Sequence, residues 1–183
     1  MALKATIFKV ELGVADMDRH YYGDHSLTIA RHPSETDERL MVRLLAFAWH
    51  ADPALQFSRG LSTDDEPALW QHSLSGEIEQ WIEVGLPDER KLRKASGRAQ
   101  QVVVYAYGGR GAALWREQNE RFWQRLDNLT VWALPKAATD QLASLAERTM
   151  SLQCSIQDGI GLVTAESATV TVERTIWAES QTS

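Results

Sequence analysis

The sequence predicts an α/β protein in which a mixed β-sheet core is flanked by helices, in one domain over residues 1–183. The chain has 183 residues, of which 44% are hydrophobic and 24% charged, as is usual for a single globular domain. Predicted helices alternate with short apolar strands of the kind that is covered on both faces. Two pairs of consecutive strands are joined by short turns, which argues against a purely parallel Rossmann fold.

The N-terminal part is predicted to form a strand pair followed by a helix. Residues 4–14 are rich in Thr, Ile, Phe and Val, and residues 21–30 follow a polar turn as the partner strand. A helix is expected over residues 36–50, with Ser34 as its N-cap and Asp37 completing a capping box. Its buried stripe has helical spacing and consists of Met41, Leu44, Leu45 and Ala48.

The rest of the chain alternates between strands and helices. Residues 77–84 form a regular strand in which Glu79, Trp81 and Glu83 share one face. Tryptophans inside predicted elements, Trp81 among them, are assigned to core packing. The other predicted elements are a strand at 67–74, a helix at about 87–99, a strand at 101–107, a helix at 112–126, a strand at 129–134, a helix at about 136–147 and closing antiparallel strands at 150–156, 160–163 and 168–176.

Composition and charge limit the function and the location of the protein. The formal net charge of -6 argues against tight, sequence-independent duplex binding, which relies on a basic surface. The single cysteine, Cys154, lies in an apolar run and is expected to be a buried structural thiol. We find neither a signal peptide nor an apolar run long enough to span a bilayer, and we expect a cytoplasmic protein.

Several carboxylates stand where α/β sheets usually build their sites. Glu38 falls at the N-terminal end of the buried helical stripe, Asp65 and Glu66 precede a predicted strand, and Glu83 ends the next strand. Converging carboxylate oxygens are ligands that Mg²⁺ prefers. The alternative is that these acids are solvated, as acidic residues commonly are. The spacing alone leaves both interpretations open.

A run of basic residues, which we call the basic strip, follows Glu83 on the predicted helix. It consists of Arg90, Lys91, Arg93, Lys94 and Arg98. It could bind nucleic acid beside the acids, or it could be an ordinary solvated helix face. On helical geometry alone, Lys91 lies nearer the buried side than Lys94 and is the better placed inward amine.

Long strings throughout the chain resemble a known family. They are MALKATIFK, RHPSETDERLMVRLLAFA, GLSTDDEPALW, WIEVGLPDERKLRKA, RTMSLQCSIQDG and TVTVERTIW. Together they look like the YaeQ family of small bacterial proteins, from near Met1 to near Trp177. The resemblance implies a restriction-endonuclease-like fold of the PD-(D/E)XK superfamily, a central mixed sheet flanked by helices, here with extra antiparallel strands from the N- and C-terminal segments.

The resemblance also implies a set of site residues. Glu38 looks like the helical acid of that superfamily, Asp65 or Glu66 like the acid near the first strand, and Glu83 like the acid of the Glu-x-Lys pair. These four acids are the expected ligands of Mg²⁺ or Mn²⁺.

One position departs from the superfamily pattern. Gly85 stands two residues after Glu83, where a lysine is expected, and the amine is expected from the following helix instead. The match to the family's motif favours Lys94, whereas helical geometry favours Lys91. The expected function is therefore a metal-dependent, nuclease-like activity on phosphodiester bonds. The alternative is a catalytically inactive nuclease fold that binds nucleic acid or a protein partner.

Overall fold

A computed structural model describes residues 4–59 and 65–182. It has a mixed α/β fold with two mixed sheets flanked by helices. In chain order the elements are β1 (Thr6–Asp16), β2 (Tyr21–Arg31), α1 (Asp37–Trp49), β3 (Leu55–Phe57), β4 (Leu69–His72), β5 (Ile78–Val84), α2 (Glu89–Arg98), β6 (Ala99–Ala106), α3 (Arg110–Trp123), β7 (Leu129–Ala133), α4 (Lys136–Ala143), β8 (Thr149–Gln157), β9 (Ile160–Thr164), β10 (Thr169–Glu173) and β11 (Thr175–Ala178).

The chain divides into two compact units, each with its own sheet. Unit 1 contains the described residues up to Ala51 together with Ala137–Glu173. Unit 2 contains Asp52–Lys136 and the described residues from Arg174 onward. The expectation of one domain over residues 1–183 stays a prediction.

The sheet of unit 1 has the strand order β10-β9-β8-β1-β2. The β1–β2 hairpin is antiparallel, whereas β1 pairs in parallel with β8, with Val10 opposite Met150. Strands β8 and β10 alternate between buried and exposed residues, so one face of this sheet is covered and the other is open. A small cavity on the covered face is enclosed by α1, α4 and strands β1, β8 and β9; its lining includes Leu12, Met41, Leu44, Leu142, Cys154 and Val163.

The sheet of unit 2 has the strand order β11-β7-β6-β5-β4-β3. Its three central strands, β5, β6 and β7, run parallel, and β6 is buried almost throughout. Leu92 of α2 and Trp115 and Phe122 of α3 pack in one hydrophobic cluster with Trp81 and Val104 of the sheet. This layering explains why β6 reads as an apolar run in the sequence.

The start of α1 differs from the prediction. The N-cap is Thr36, whose hydroxyl accepts a hydrogen bond from the Arg39 N–H at 3.1 Å. Ser34, the predicted N-cap, is hydrogen bonded to His32 instead, at 2.8 Å. Asp37 pairs with Arg31 and does not close a capping box. The cap shifts by two residues because Glu35 is buried immediately before the helix.

The terminal strands also differ from the prediction. The segment predicted as one strand at 168–176 forms two strands in different sheets, β10 beside β9 and β11 beside β7, separated at Arg174. The N- and C-terminal strands build a sheet of their own, and the β1–β8 pairing within it is parallel. Alternating hydrophobicity identifies a strand but not its partner, so the sequence pattern gave no signal for this arrangement.

No helix of the described residues is long and apolar enough to cross a membrane. The expected cytoplasmic location stays a prediction.

Candidate functional site

Glu83 is a buried carboxylate near the C-terminal end of the parallel strand β5. It is 3% exposed. The indole Nε1–H of Trp81 donates a hydrogen bond to Glu83 Oε1 at 2.8 Å. The two residues are two positions apart on one strand, so their side chains share a face. Trp81 thus fixes the orientation of the carboxylate, while its other oxygen is left to a second partner.

That second partner is Lys91. Its ammonium Nζ lies 3.4 Å from Glu83 Oε2. Lys91 is held in the first turn of α2, where the Asp88 side chain caps the helix by accepting a hydrogen bond from the Lys91 N–H at 2.8 Å. Its side chain is 26% exposed, compared with 45% for Lys94. Of the two lysines, Lys91 is the less exposed and the one that contacts Glu83, and its role as the amine of the site stays a prediction.

The backbone at Gly85, two residues after Glu83, disfavours any residue with a side chain. Its φ angle is +105°, in the region that favours glycine. A Cβ added there would meet no neighbouring atom, so the backbone conformation alone disfavours a side chain. The Gly85 N–H donates a hydrogen bond to the Tyr105 carbonyl at 2.9 Å, which holds the chain in this turn. An amine for Glu83 must therefore come from another element, and α2 supplies it.

Lys94 contacts a different acid. It forms a hydrogen-bonded ion pair with Asp65, and the Arg98 guanidinium donates to the Asp65 carbonyl oxygen at 2.8 Å. The hydrogen bond from Lys94, reinforced by its charge, lowers the pKa of the Asp65 carboxyl. Glu66 points elsewhere, because its carboxylate accepts a hydrogen bond from the Arg59 N–H at 3.2 Å. Of the two candidate acids, Asp65 is the one tied to α2.

Glu38 belongs to unit 1 and is described there by itself. It lies in the first turn of α1 and is half-buried. Its Oε2 accepts a hydrogen bond from Thr139 Oγ1 at 3.0 Å, and Thr139 is fully buried. The carboxylate is thus oriented by α4 and does not lie on a solvated face, as the sequence predicts.

A small basic pocket opens at the first turns of α2. Its lining is Asp88, Arg90, Lys91 and Lys94, around a cavity of about 60 Å³. Three cations against one carboxylate make the pocket suited to an anion. Lys91 lines the pocket and also contacts Glu83, so it links the pocket to the buried carboxylate.

Two other members of the basic strip, Arg93 and Arg98, contact neighbouring side chains. Arg93 pairs with Glu89 at 2.5 Å and stacks over the Phe122 ring, with 4.9 Å to the ring centroid. The Arg98 guanidinium lies over the Trp81 ring at 5.2 Å. Arg98 thus links the exposed Asp65 loop to the indole that orients Glu83.

The donor set fits Mg²⁺ only in part. Among residues 4–59 and 65–182, no three His, Cys, Asp or Glu side chains are grouped closely enough to hold a metal ion. Lys91 and Lys94 already occupy the carboxylates of Glu83 and Asp65. Mg²⁺ commonly needs only one or two protein carboxylates when substrate phosphates and water complete its shell. Within unit 2, Glu83 and Asp65 are the acids that could contribute such carboxylates.

Sequence reasoning missed a buried ionic network in unit 1. Glu35 accepts hydrogen bonds from Arg39 and, at 2.5 Å, from Arg43. Arg43 is 4% exposed and also donates to the Ala30 carbonyl at 3.1 Å. Burial lowers the pKa of Arg43, and Glu35 opposes that effect. The signal was present in the sequence, because Glu35 lies four residues before Arg39, and Arg39 and Arg43 are four residues apart on one face of α1.

These features define a class of protein: a mixed α/β protein of two sheets, with a buried acid–lysine pair beside a basic pocket. The family model described as "YaeQ protein" matches residues 1–174. The chain belongs to the YaeQ family.

Relatives and solved structures agree with this assignment. The chain is 46% identical over 179 residues to "Uncharacterized protein YaeQ" of Escherichia coli (strain K12), covering 98% of this chain and 99% of that protein. The same name and identity apply to a relative in Salmonella typhi, over the same shares of both chains. The crystal structure of the YaeQ protein from Xanthomonas axonopodis pv. citri is 47% identical, with a TM-score of 0.91 over 94% of this chain and 97% of that one. The YaeQ structure from Pseudomonas syringae is 36% identical, with a TM-score of 0.92 over 97% of this chain and 98% of that one.

Proposed function

We propose that this protein is a Mg²⁺- or Mn²⁺-dependent, nuclease-like enzyme that acts on phosphodiester bonds, with a restriction-endonuclease-like arrangement of its site. The observation that carries the proposal is the pair of Glu83 and Lys91. The carboxylate lies near the C-terminal end of a parallel strand, where α/β sheets usually build their sites, and its partner Lys91 is partly exposed and lines the basic pocket.

The residues divide the work according to their contacts. Lys91 and Arg90 line the basic pocket and would bind the phosphate. Glu83, held by Trp81, would be the principal metal ligand, with Asp65 as the second. The metal, when bound with substrate, would polarise the phosphate and lower the pKa of a water molecule.

The two lysines are assigned different roles. Lys91 is the amine that replaces the lysine missing at Gly85, since it reaches Glu83. Lys94 holds Asp65 in the absence of metal and would be released to the phosphate when a cation takes its place. Glu66 is the weaker candidate ligand, and Glu38 stays a ligand that only the resemblance to the superfamily suggests.

The test is a cleavage panel. Purified protein is incubated with Mg²⁺ or Mn²⁺ and single-stranded, duplex and branched DNA and RNA. We expect cutting of at least one substrate, and its loss in Glu83→Gln, which keeps an acceptor for Trp81. The matched control is Glu79→Gln on the same strand, whose side chain bonds to Gln71 at 3.0 Å and which should keep activity. No cleavage of any substrate, with no metal binding by calorimetry, contradicts the proposal.

A second candidate function is an inactive nuclease fold that binds nucleic acid or a protein partner. It is favoured by Gly85 in place of lysine and by the ion pairs that already occupy Glu83 and Asp65. Salt-sensitive nucleic-acid binding without turnover would distinguish it from the enzyme. If neither metal nor nucleic acid binds, a stable protein partner is the remaining expectation.

A further inference from the structure

Strand β2 is an unusually open edge of the unit 1 sheet. It is eleven residues long, and in the part of the chain that the structure describes it ends the strand order. Its pairing with β1 runs without a register shift from Arg31 to Tyr21. An edge strand of this length exposes a row of backbone N–H and C=O groups that can pair with another strand.

The other edges of the two sheets are blunted. Strand β10 has five residues and β3 has three, while β11 has four residues and a register shift. Short edges and bulges are the devices that natural sheets use against unwanted pairing. Strand β2 contains neither proline nor lysine, which are two further such devices. Among the described edge strands, β2 is therefore the long and regular one.

Exposed apolar side chains accompany this edge. Tyr22 is 64% exposed, and Ile7 on the neighbouring strand is 46% exposed. Ile7 lies opposite Ala30 in the β1–β2 register. On the inner face, Leu27 is only half-buried, although Ile29 two residues later is 1% exposed. The exposed apolar side chains thus lie near the two ends of the strand, and the exposed residues between them, Asp24, Ser26 and Thr28, are polar.

The strand is complementary to itself. Antiparallel pairing of all eleven residues with a second copy places Ser26 opposite Ser26 of that copy. In this register Asp24 faces Thr28 of the second copy, and no like charges meet. Tyr22 faces Ala30 of the second copy, next to its Ile7, and would cover the exposed apolar side chains.

From these observations we propose that the chain pairs through β2 with a second copy of itself, antiparallel about Ser26, to form one continuous ten-stranded sheet. The contact is isologous, since the same patch serves on both chains. One acceptor of this edge, the Ala30 carbonyl, is already used by Arg43, so the pairing is strongest towards the centre of the strand. The two-fold axis would pass beside Ser26, whose side chain is small and uncharged. Its hydroxyl donates a hydrogen bond to Glu11 of the same chain at 2.7 Å.

The association is tested first by charge. Light scattering and sedimentation across a concentration series should give twice the mass of one chain. Thr28→Asp places one new carboxylate against Asp24 of the opposite copy, at each of two symmetric positions, and should shift the protein to monomer. Within one chain this residue lies beside Lys9, so the substitution does not harm the fold. The double variant Asp24→Lys with Thr28→Asp should restore the dimer. A wild-type chain that is monomeric at every concentration overturns the proposal.

The register is tested by a disulfide. Directly opposed residues of antiparallel strands have Cα atoms about 4.5–5.5 Å apart, within the range that a disulfide can bridge. Ser26→Cys should therefore cross-link the dimer under mild oxidation. The native Cys154 does not compete, because burial raises the pKa of its thiol to about 12. The matched control is Thr171→Cys on the opposite edge strand β10, which should stay uncross-linked. Equal cross-linking of both variants, or none with Ser26→Cys, contradicts this register.

Discussion

Two buried carboxylates of this protein are neutralised in opposite ways. The Glu35 side chain, in unit 1, is 2% exposed and is enclosed by Arg39 and Arg43, whose side chains are 20% and 5% exposed. Both partners are guanidiniums, which match a carboxylate geometrically and stay charged. We call this network closed, because the carboxylate and its partners are largely shielded from solvent. It has the features of a structural ion pair.

Glu83, in unit 2, is as deeply buried but has an open partner. Its carboxylate meets an indole N–H on one side and the Lys91 ammonium on the other, at 3.4 Å. A lysine is a flexible point charge that can exchange partners, and this one reaches a basic pocket. The difference teaches that burial of an acid does not by itself identify a site, whereas the character and accessibility of its partner do.

The largest expected effect on stability is at the closed network. Glu35→Ala leaves the Arg43 guanidinium buried without its carboxylate, which should cost about 3–5 kcal/mol of unfolding free energy. Urea denaturation measures it. The control is Glu89→Ala, whose pair with Arg93 is exposed and should contribute about 1 kcal/mol or less. Similar losses in the two variants would show that the buried network of Glu35 stabilises the fold no more than an exposed ion pair does.

The second effect separates the two lysines of α2. Lys91→Met removes the ammonium partner of the buried Glu83 carboxylate, so we expect a loss on the order of 1–3 kcal/mol and the loss of any cleavage activity. Lys94→Met removes an exposed partner of Asp65 and should change the stability less. Denaturation and cleavage assays on both variants measure this order. A larger loss in Lys94→Met would mean that Lys94, and not Lys91, supports the buried acid.

A third effect concerns pH and the exposed pair. Because the hydrogen bond from Lys94 lowers the pKa of Asp65 in the folded chain, the pair stabilises the fold above the ordinary carboxyl pKa. That contribution is lost as the pH falls through the folded-state value. Lys94→Met should return the Asp65 titration upward towards its ordinary range, as followed by carboxyl NMR. An unchanged titration would show that the two side chains do not interact in solution.

The last effect is at the single thiol, and it is absent at neutral pH. Burial, together with the charge of Asp16, raises the pKa of Cys154 from 9.0 to about 12. Between those values the unfolded chain releases a proton that the folded chain keeps, so stability should fall as the pH rises through this window. Alkylation of Cys154 at neutral pH should require denaturant. Rapid alkylation of the folded protein would contradict the burial of this group.

The sequence predicts the elements of this fold well, because apolar periodicity is a local signal. The helix from Asp37 and the strand that ends at Val84 follow directly from it. Strand partners depend on distant residues, so the parallel pairing of Val10 with Met150 and the break at Arg174 had no local signal. The sequence pattern therefore did not indicate that the strands form two sheets and not one.

Contacts of the candidate site that follow from residue spacing could be predicted from the sequence. Contacts that depend on the path of a loop could not. Helical geometry favours Lys91 over Lys94, and Lys91 is the lysine that contacts Glu83. The pairing of Lys94 with Asp65 requires the path of the loop before β4, which no periodicity describes. Trp81 was assigned to the core, which is correct, but its N–H also orients Glu83, and only coordinates reveal that contact.

The most direct test of the central claim is the cleavage rate per folded molecule in Glu83→Gln, with its unfolding free energy determined on the same sample. The account predicts that the wild type cuts a nucleic-acid substrate with Mg²⁺ or Mn²⁺. Glu83→Gln should lose this activity while it stays folded with the Trp81 hydrogen bond intact. Cutting at the wild-type rate by folded Glu83→Gln would contradict the assignment of this open, buried acid to the site.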